Sequence, residues 1–471
     1  MRALVLIHRW LGVGFCCLFA MWFASGIVMH FVPVPALTEV ERIAGLADID
    51  PASLNNQTLA AIIARNAGKA TRVRLLARSD GLVYIVQRAD GVSAVHAGDS
   101  SSAEVRSADL ALAIAVDHAR RRALVTDAAT VVERAQHDQW TVPNGLDAHR
   151  PLFLIALNDE AATELYVSST TGEVVRDTTR YERVWNYVGS VVHWIYPAVL
   201  RSNWRAWDAT VWALSLAALI TALTGAVLGI IRIQPARGRH ASPYRGWQAW
   251  HHWLGIGCMI FVLTWIFSGW LSMDHGRLFS TGKLAMDESA PFENTAPWAK
   301  ASAIDVKQLP ARAREIEWFI FNQRVYRRDR FGVRTQQLSL IGDESAPPHS
   351  FLQPAEVDAA VTTLGPDCRP AMIVPAVDAY PIASSVAEAP VYRIICGETW
   401  FHIDGATGAP LEKLDRSRRA YRWLYQGLHT LDLPLFATHA YWRTAIIILL
   451  CGLGVVFSLT AVIIGWRRLQ R

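Results

Sequence analysis

A chain of 471 residues, 52% hydrophobic and only 18% charged, is too long for one ordinary domain. It is also more apolar than soluble proteins, where roughly 25% of residues are charged. The net charge of +5 is small and its basic clusters flank apolar segments, so nothing points to nucleic acid.

The first apolar run, Leu6–Phe31, is long enough to cross a core about 30 Å thick, which takes about 20 residues. It exceeds the usual signal-peptide core and closes in bulky Met29-His30-Phe31, so it reads as a retained helix. A long segment follows with mixed α and β patterns. Gln57–Asn66 and Leu110–Arg120 are predicted helices. Arg72–Leu76 and Val83–Gln87 form a predicted hairpin around Ser79-Asp80-Gly81, and Pro151–Leu157 with Glu164–Ser168 a second. Thr210–Ile231 and Trp250–Met273 are the next crossing helices, separated by a short basic loop. A second mixed segment has predicted strands at Trp318–Phe321, Val325–Tyr326, Val391–Ile395 and Trp400–Ile403. Thr444–Trp466 is the fourth crossing helix.

The resulting division is helix 1–31, outer domain 32–205, helix 206–231, loop 232–247, helix 248–273, outer domain 274–440, helix 441–466 and tail 467–471. Arg2 and Arg9, Arg232, Arg237, Arg239 and Arg245, and Arg467, Arg468 and Arg471 all fall on one side, which should be cytoplasmic. Cys16, Cys17, Cys258 and Cys451 lie within the helices and read as small packing residues. Cys368 and Cys396 are the only pair outside, where an oxidising periplasm permits a disulfide.

The chain also resembles itself. His8, Trp10, Leu11, Gly12, Gly14, Trp22, Ser25 and Gly26 match His251, Trp253, Leu254, Gly255, Gly257, Trp265, Ser268 and Gly269 at a constant offset of 243. Thr171-Gly172, Arg180, His193 and Leu223-Thr224 match Thr407-Gly408, Arg416, His429 and Leu459-Thr460 at an offset of 236. The reading is a tandem repeat of helix, outer domain, helix. Its copies run in the same sense, so an approximate two-fold axis along the membrane normal should relate them.

The string Arg150-Pro-Leu-Phe-Leu-Ile-Ala-Leu-Asn-Asp, then Glu164-Leu-Tyr-Val and Thr171-Gly-Glu-Val-Val, resembles the PepSY domain. With the helices that open in His-x-Trp-Leu-Gly, nearly the whole chain resembles the PepSY-associated transmembrane family. The resemblance implies four membrane helices with two periplasmic α+β PepSY-like domains in a bacterial inner membrane. Some relatives are similar to haem-containing ferric-siderophore reductases, which implies iron acquisition as a field of activity.

The repeat selects among fifteen histidines. His8 and His251 should lie at one depth on opposite sides of the axis, and His193 and His429 at another. Each pair could supply two axial imidazoles to a haem iron. Two haem b groups are expected, and the absence of Cys-x-x-Cys-His argues against covalent attachment. Gly12, Gly14, Gly255 and Gly257 would admit a flat macrocycle, or equally close helix packing. His30, whose counterpart is Met273, is a lesser ligand candidate, as are His252 and His275. Trp22 and Trp265 could relay electrons, though packed or lipid-facing aromatics are the commoner case. Arg324, Arg327, Arg328, Arg330 and Arg334 could steer an anionic ferric chelate or simply form a solvated strand face. No nucleotide fingerprint or hydrolytic constellation occurs, so a reductase of this kind needs a separate donor, a quinol or a soluble protein. The rival readings are a non-enzymatic binding module anchored by its helices, and a transport accessory with histidines on a proton path.

Overall fold

The computed structural model describes residues 1–54, 56–65, 70–233, 242–284, 288, 298, 306–343, 347–361, 364, 366–381 and 389–470. Four of its helices are long and apolar enough to cross a membrane: Arg2–Phe31, Trp204–Ile231, Trp247–Ser272 and Ala440–Leu469. At 26 to 30 residues they are about 39–45 Å long, enough for the apolar core and both headgroup layers. Every backbone polar group in such a helix is satisfied within it. Hydroxyls that enter the bundle do the same, as Ser215 donates to Val211 O and Ser458 to Gly454 O.

The first helix packs on the second and fourth, and the third does likewise, so the first and third face each other across the bundle. Their seam is filled by Phe19, Phe23, Cys258, Val262, Trp265 and Cys451. Exposed Trp10, Trp250, Trp253 and Trp466 ring the end that carries the termini. Trp204, Tyr441 and Trp442 ring the end that carries the two long segments. Such aromatic girdles mark the two water interfaces of a bilayer. Of the predicted loop, Arg232 and Arg245 lie at the terminal end, while Arg237 and Arg239 fall outside the described residues.

The first long segment forms β1 (Ala70–Arg78), β2 (Gly81–Arg88), β3 (Gly91–His96), β4 (Thr130–Ala135), β5 (Leu152–Ala156), β6 (Glu164–Ser168) and β7 (Val174–Thr178). The second forms β8 (Glu315–Phe321), β9 (Arg324–Arg330), β10 (Gln336–Leu340), β11 (Met372–Ile373), β12 (Val391–Cys396), β13 (Thr399–Asp404) and β14 (Pro410–Leu414). Two four-stranded sheets, β4-β5-β6-β7 and β11-β12-β13-β14, stay within their own segments. The third sheet does not. Its order is β10-β9-β8-β1-β2-β3, so the two segments share one six-stranded sheet through the antiparallel pair β1 and β8. The division into 32–205 and 274–440 therefore cuts a continuous layer. Arg74 pairs with Glu317 at the centre of that seam, a separation equal to the offset between the first and third membrane helices. The shared sheet buries Val73, Leu75, Tyr84, Ile316 and Trp318 on one face.

Two glycines hold tight turns against this sheet. Gly172 and Gly408 both have φ of +70°, a conformation L residues rarely adopt. A Cβ on Gly172 would lie 2.3 Å from the Arg78 guanidinium, and one on Gly408 2.2 Å from the Phe321 ring. Gly408→Ala is therefore expected to lower stability by about 2–4 kcal/mol, combining left-handed strain with overpacking. Chemical denaturation read by circular dichroism checks it. A loss below about half a kcal/mol, the size of an ordinary surface substitution, would mean that Phe321 gives way freely.

Candidate functional site

His8 enters the first helix and His251 the third, and these helices face each other. Their imidazoles meet near the terminal end with ring centroids 6.4 Å apart. At the domain end His193 and His429 meet with centroids 6.3 Å apart. Ser25 and Ser268, which hold the second pair, lie on the same two helices as His8 and His251, nearer the domain end. The helical rise from His8 to Ser25 puts the pairs about 25 Å apart along the bundle.

All four rings are tethered in the same way. His8 Nδ1 donates to Thr221 O at 3.1 Å, beside the Thr224 hydroxyl at 3.4 Å. His251 Nδ1 lies 2.9 Å from Thr460 Oγ1, whose own proton goes to Phe457 O at 2.6 Å. His193 Nδ1 lies 2.9 Å from Ser25 Oγ, which donates to Met21 O at 2.6 Å. His429 Nδ1 reaches Ser268 Oγ at 3.1 Å and Trp265 O at 3.3 Å. The carbonyls beside His8 and His429 can only accept, so those Nδ1 atoms carry the ring proton, and the hydroxyls beside His193 and His251 have carbonyl acceptors of their own, which favours the same tautomer. Each Nε2 is left with a lone pair and makes no hydrogen bond among the described residues.

Short-range geometry delivers the domain-end pair. A π-helical turn precedes each histidine, Tyr187–Val191 before His193 and Arg422–Gly427 before His429. Such turns are rare and concentrate at functional sites. Just beyond each histidine the backbone turns left-handed, at Ile195 (φ 49°) and Leu431 (φ 51°). A bulky residue there is strained, which is a cost borne by positioned sites. Gly26 and Gly269 make room for the rings, since added Cβ atoms would stand 3.7 and 3.2 Å from Cε1 of His193 and His429. Ser25-Gly26 and Ser268-Gly269, like Thr224 and Thr460, are visible in sequence as matched letters. Their task of fixing one nitrogen and clearing space for the ring is visible only in the fold.

The other candidates divide. Phe23, Phe261 and Trp265 form an aromatic triad between the pairs, with centroids 5.8–6.1 Å apart. Trp22 instead donates its indole N–H to His193 O at 2.9 Å and so positions that residue. Gly12, Gly14 and Gly257 face open space, whereas Gly255 meets Phe457, which stacks on His251 at 4.8 Å. His252 stands outside both pairs, with Ser242 and Gly229 O at its two nitrogens. His30 commits Nε2 to Thr444 Oγ1 at 2.8 Å, and His275 commits Nδ1 to Asp208 while stacking on Trp212. Neither faces a second histidine.

The arginine run is not an open anion-steering patch. Arg330 is buried between Glu39 and Glu315, Arg328 pairs with Glu317, and Arg327 pairs with buried Asp329. Only Arg324 and Arg334 present exposed side chains. Several of the partners lie on other elements, one of them in the other half of the chain, so no local pattern signals the neutralisation. Cys368 and Cys396 are joined by a disulfide that ties the loop before β11 to the last residue of β12.

A comparison with curated proteins returned no match. The family model described as the PepSY-associated TM region matches residues 5–468, through all four helices and both long segments. The chain is a membrane protein and belongs to the PepSY-associated TM family.

Proposed function

We propose that the chain is a haem-b oxidoreductase of a bacterial inner membrane, passing electrons to an acceptor on the domain side. The acceptor would be a ferric siderophore or related iron chelate. One haem would sit between His8 and His251 and another between His193 and His429. The observation that carries this reading is the shared tether: four anchored Nδ1 atoms and four Nε2 atoms without a hydrogen bond among the described residues, set in two adjacent pairs of rings. Metal-ligating histidines hold their second nitrogen in this way.

The donor set fits the group. At each end two imidazoles lie side by side, with ring centroids 6.4 and 6.3 Å apart, and these are the residues that would hold the group. Among the described residues no third His, Cys, Asp or Glu joins either pair, so the remaining ligands would come from a macrocycle. Held by these histidines, haem would supply a one-electron carrier. The protein's own part is to hold the rings, keep them neutral and bridge the pairs with Phe23, Phe261 and Trp265. One electron converts one ferric ion to ferrous, so a quinol donor would serve two acceptors.

We read the two halves as copies about an axis through the Arg74–Glu317 seam. The recurrence of the π-helical turns and of left-handed Ile195 and Leu431 supports that reading. The basic residues at the terminal end support a cytoplasmic placement there. The Cys368–Cys396 bridge supports an oxidising compartment for the domains.

The test is an absorption spectrum of the purified protein, oxidised and dithionite-reduced. Sharp reduced b-type bands are expected, and His8→Ala and His193→Ala should each remove about half of the band, one axial site apiece. Protein free of haem after expression with ample haem would overturn the reading in favour of an anchored binding module.

A further inference from the structure

The helix Arg180–Asn186 and its π-helical continuation leave one side bare. Tyr181, Val184, Trp185 and Val188 are all exposed, Tyr181 by 62% and Val188 by 51%. Their spacing puts them on a single stripe. The height of the stripe follows from contacts on the opposite side. Gly189 sits against Val28 and Met29 of the first membrane helix, and Asn186 Nδ2 donates to Pro33 O at 2.9 Å. The bare side therefore flanks the last turn of that helix and the residues just beyond. Thr444 bonds His30 at the same level, which sets Trp442 at about the height of Trp185. Trp185 thus belongs to the domain-end aromatic ring, and its stripe continues the lipid-facing surface of the first helix.

The counterpart of Trp185 in the second half is Tyr421, and it is covered. Phe279 packs on it at 5.2 Å and the Arg418 guanidinium lies over its ring at 4.8 Å. Among the described residues, only the first half keeps this surface open. A cleft of about 470 Å³ opens on the first part of the stripe, lined by Glu160, Arg180, Tyr181, Val184 and Trp185. Neither Glu160 nor Arg180 forms an ion pair among the described residues. A cation and an anion without protein partners thus stand where headgroups lie, over an apolar stripe where acyl chains begin.

We propose that this cleft binds a zwitterionic aminophospholipid of the domain-side leaflet. Its phosphate lies on Arg180, its ammonium on Glu160 and an acyl chain along Val184, Trp185 and Val188. The bound lipid braces the helix that ends at His193, just past Val188.

The test uses the full chain in nanodiscs with equal phosphatidylethanolamine and phosphatidylcholine, and counts retained lipid by native mass spectrometry after gentle delipidation. Preferential retention of phosphatidylethanolamine is expected. Arg180→Ala should lower retention of both lipids about tenfold, the value of one charge-assisted hydrogen bond at the low end. Glu160→Gln should abolish the preference over phosphatidylcholine while leaving total lipid retention nearly unchanged, and it carries the test if Arg180→Ala does not fold. Equal retention of the two lipids by the unmodified protein, an unchanged preference in Glu160→Gln, or, in a second nanodisc of equal phosphatidylethanolamine and phosphatidylglycerol, stronger retention of phosphatidylglycerol would each overturn the proposal.

Discussion

Replacing Glu315 with Ala is expected to destabilise the domain end by about 3–5 kcal/mol, the usual result of leaving buried charges without their partner. Glu315 is 1% exposed. It pairs with Arg42 at 2.7 Å, Arg74 at 3.1 Å and Arg330 at 3.3 Å. Its removal leaves Arg330 with Glu39 alone and Arg74 with Glu173 alone. Because Arg42 and Arg74 come from the first segment and Glu315 from the second, the loss falls on their junction. Thermal unfolding followed by near-ultraviolet dichroism measures it. A change under about 1 kcal/mol, the range of solvent-exposed ion pairs, would mean that water reaches the cluster.

The same cluster sets an acid limit. Burial alone would raise the Glu39 carboxyl, but hydrogen bonds and charge from Arg42 and Arg330 outweigh it and hold Glu39 at about 2. Burial likewise opposes ionisation of Glu315, and Arg42, Arg74 and Arg330 hold it well below the carboxylate range. A carboxyl depressed in the folded state adds stability that is complete above its unfolded value, about 4.3. That stability drains away as the pH falls toward about 2. Cooperative loss of the domain fold is expected in that window, and Glu315→Ala should move the midpoint upward.

On the haem reading, Gly269→Leu is expected to empty the domain-end site while leaving the terminal-end site filled. The imidazole of His429 sits 3.2 Å from where the new Cβ would stand, and the rest of the side chain needs the same space. Displacing a ligand ring by even about 1 Å breaks a bond whose length tolerates only about 0.2 Å. Haem per protein should fall to about half, with the remaining signal insensitive to His429→Ala and abolished by His8→Ala. Gly12→Leu is the control, since its Cβ meets nothing within 4 Å. Equal haem loss in both variants would point to general disruption of the bundle.

The histidine partners were legible because a constant offset carries depth information that no single residue holds. His8 and His251 share a position in two matching helices, and the fold need only bring those helices face to face. The choice of His251 over its neighbour His252 also came from the offset, and the hydrogen bonds of His252 to Ser242 and Gly229 O give its physical ground. The shared sheet was not legible. Strand β1 reads locally as half of a hairpin with β2, and nothing in its alternation names a second partner in the other half of the chain. The arginines of β9 misled for the same reason. A run of cations reads as solvated until Glu315 and Glu317 are placed on the neighbouring strand. Tertiary pairing, not local pattern, decides both cases.

The pairing of β1 with β8 also imposes an order on synthesis. When β1 leaves the ribosome, the strand that will cover its free edge is still far from being made. At about 5–20 residues per second, the stretch from Arg74 to Glu317 takes roughly 10–50 s to appear. In that interval two more membrane helices must insert. Meanwhile Val73 and Leu75 stand on an open strand edge, a template for wrong pairing with another nascent chain. The first half alone should therefore be a client for holding chaperones rather than an independent folding unit.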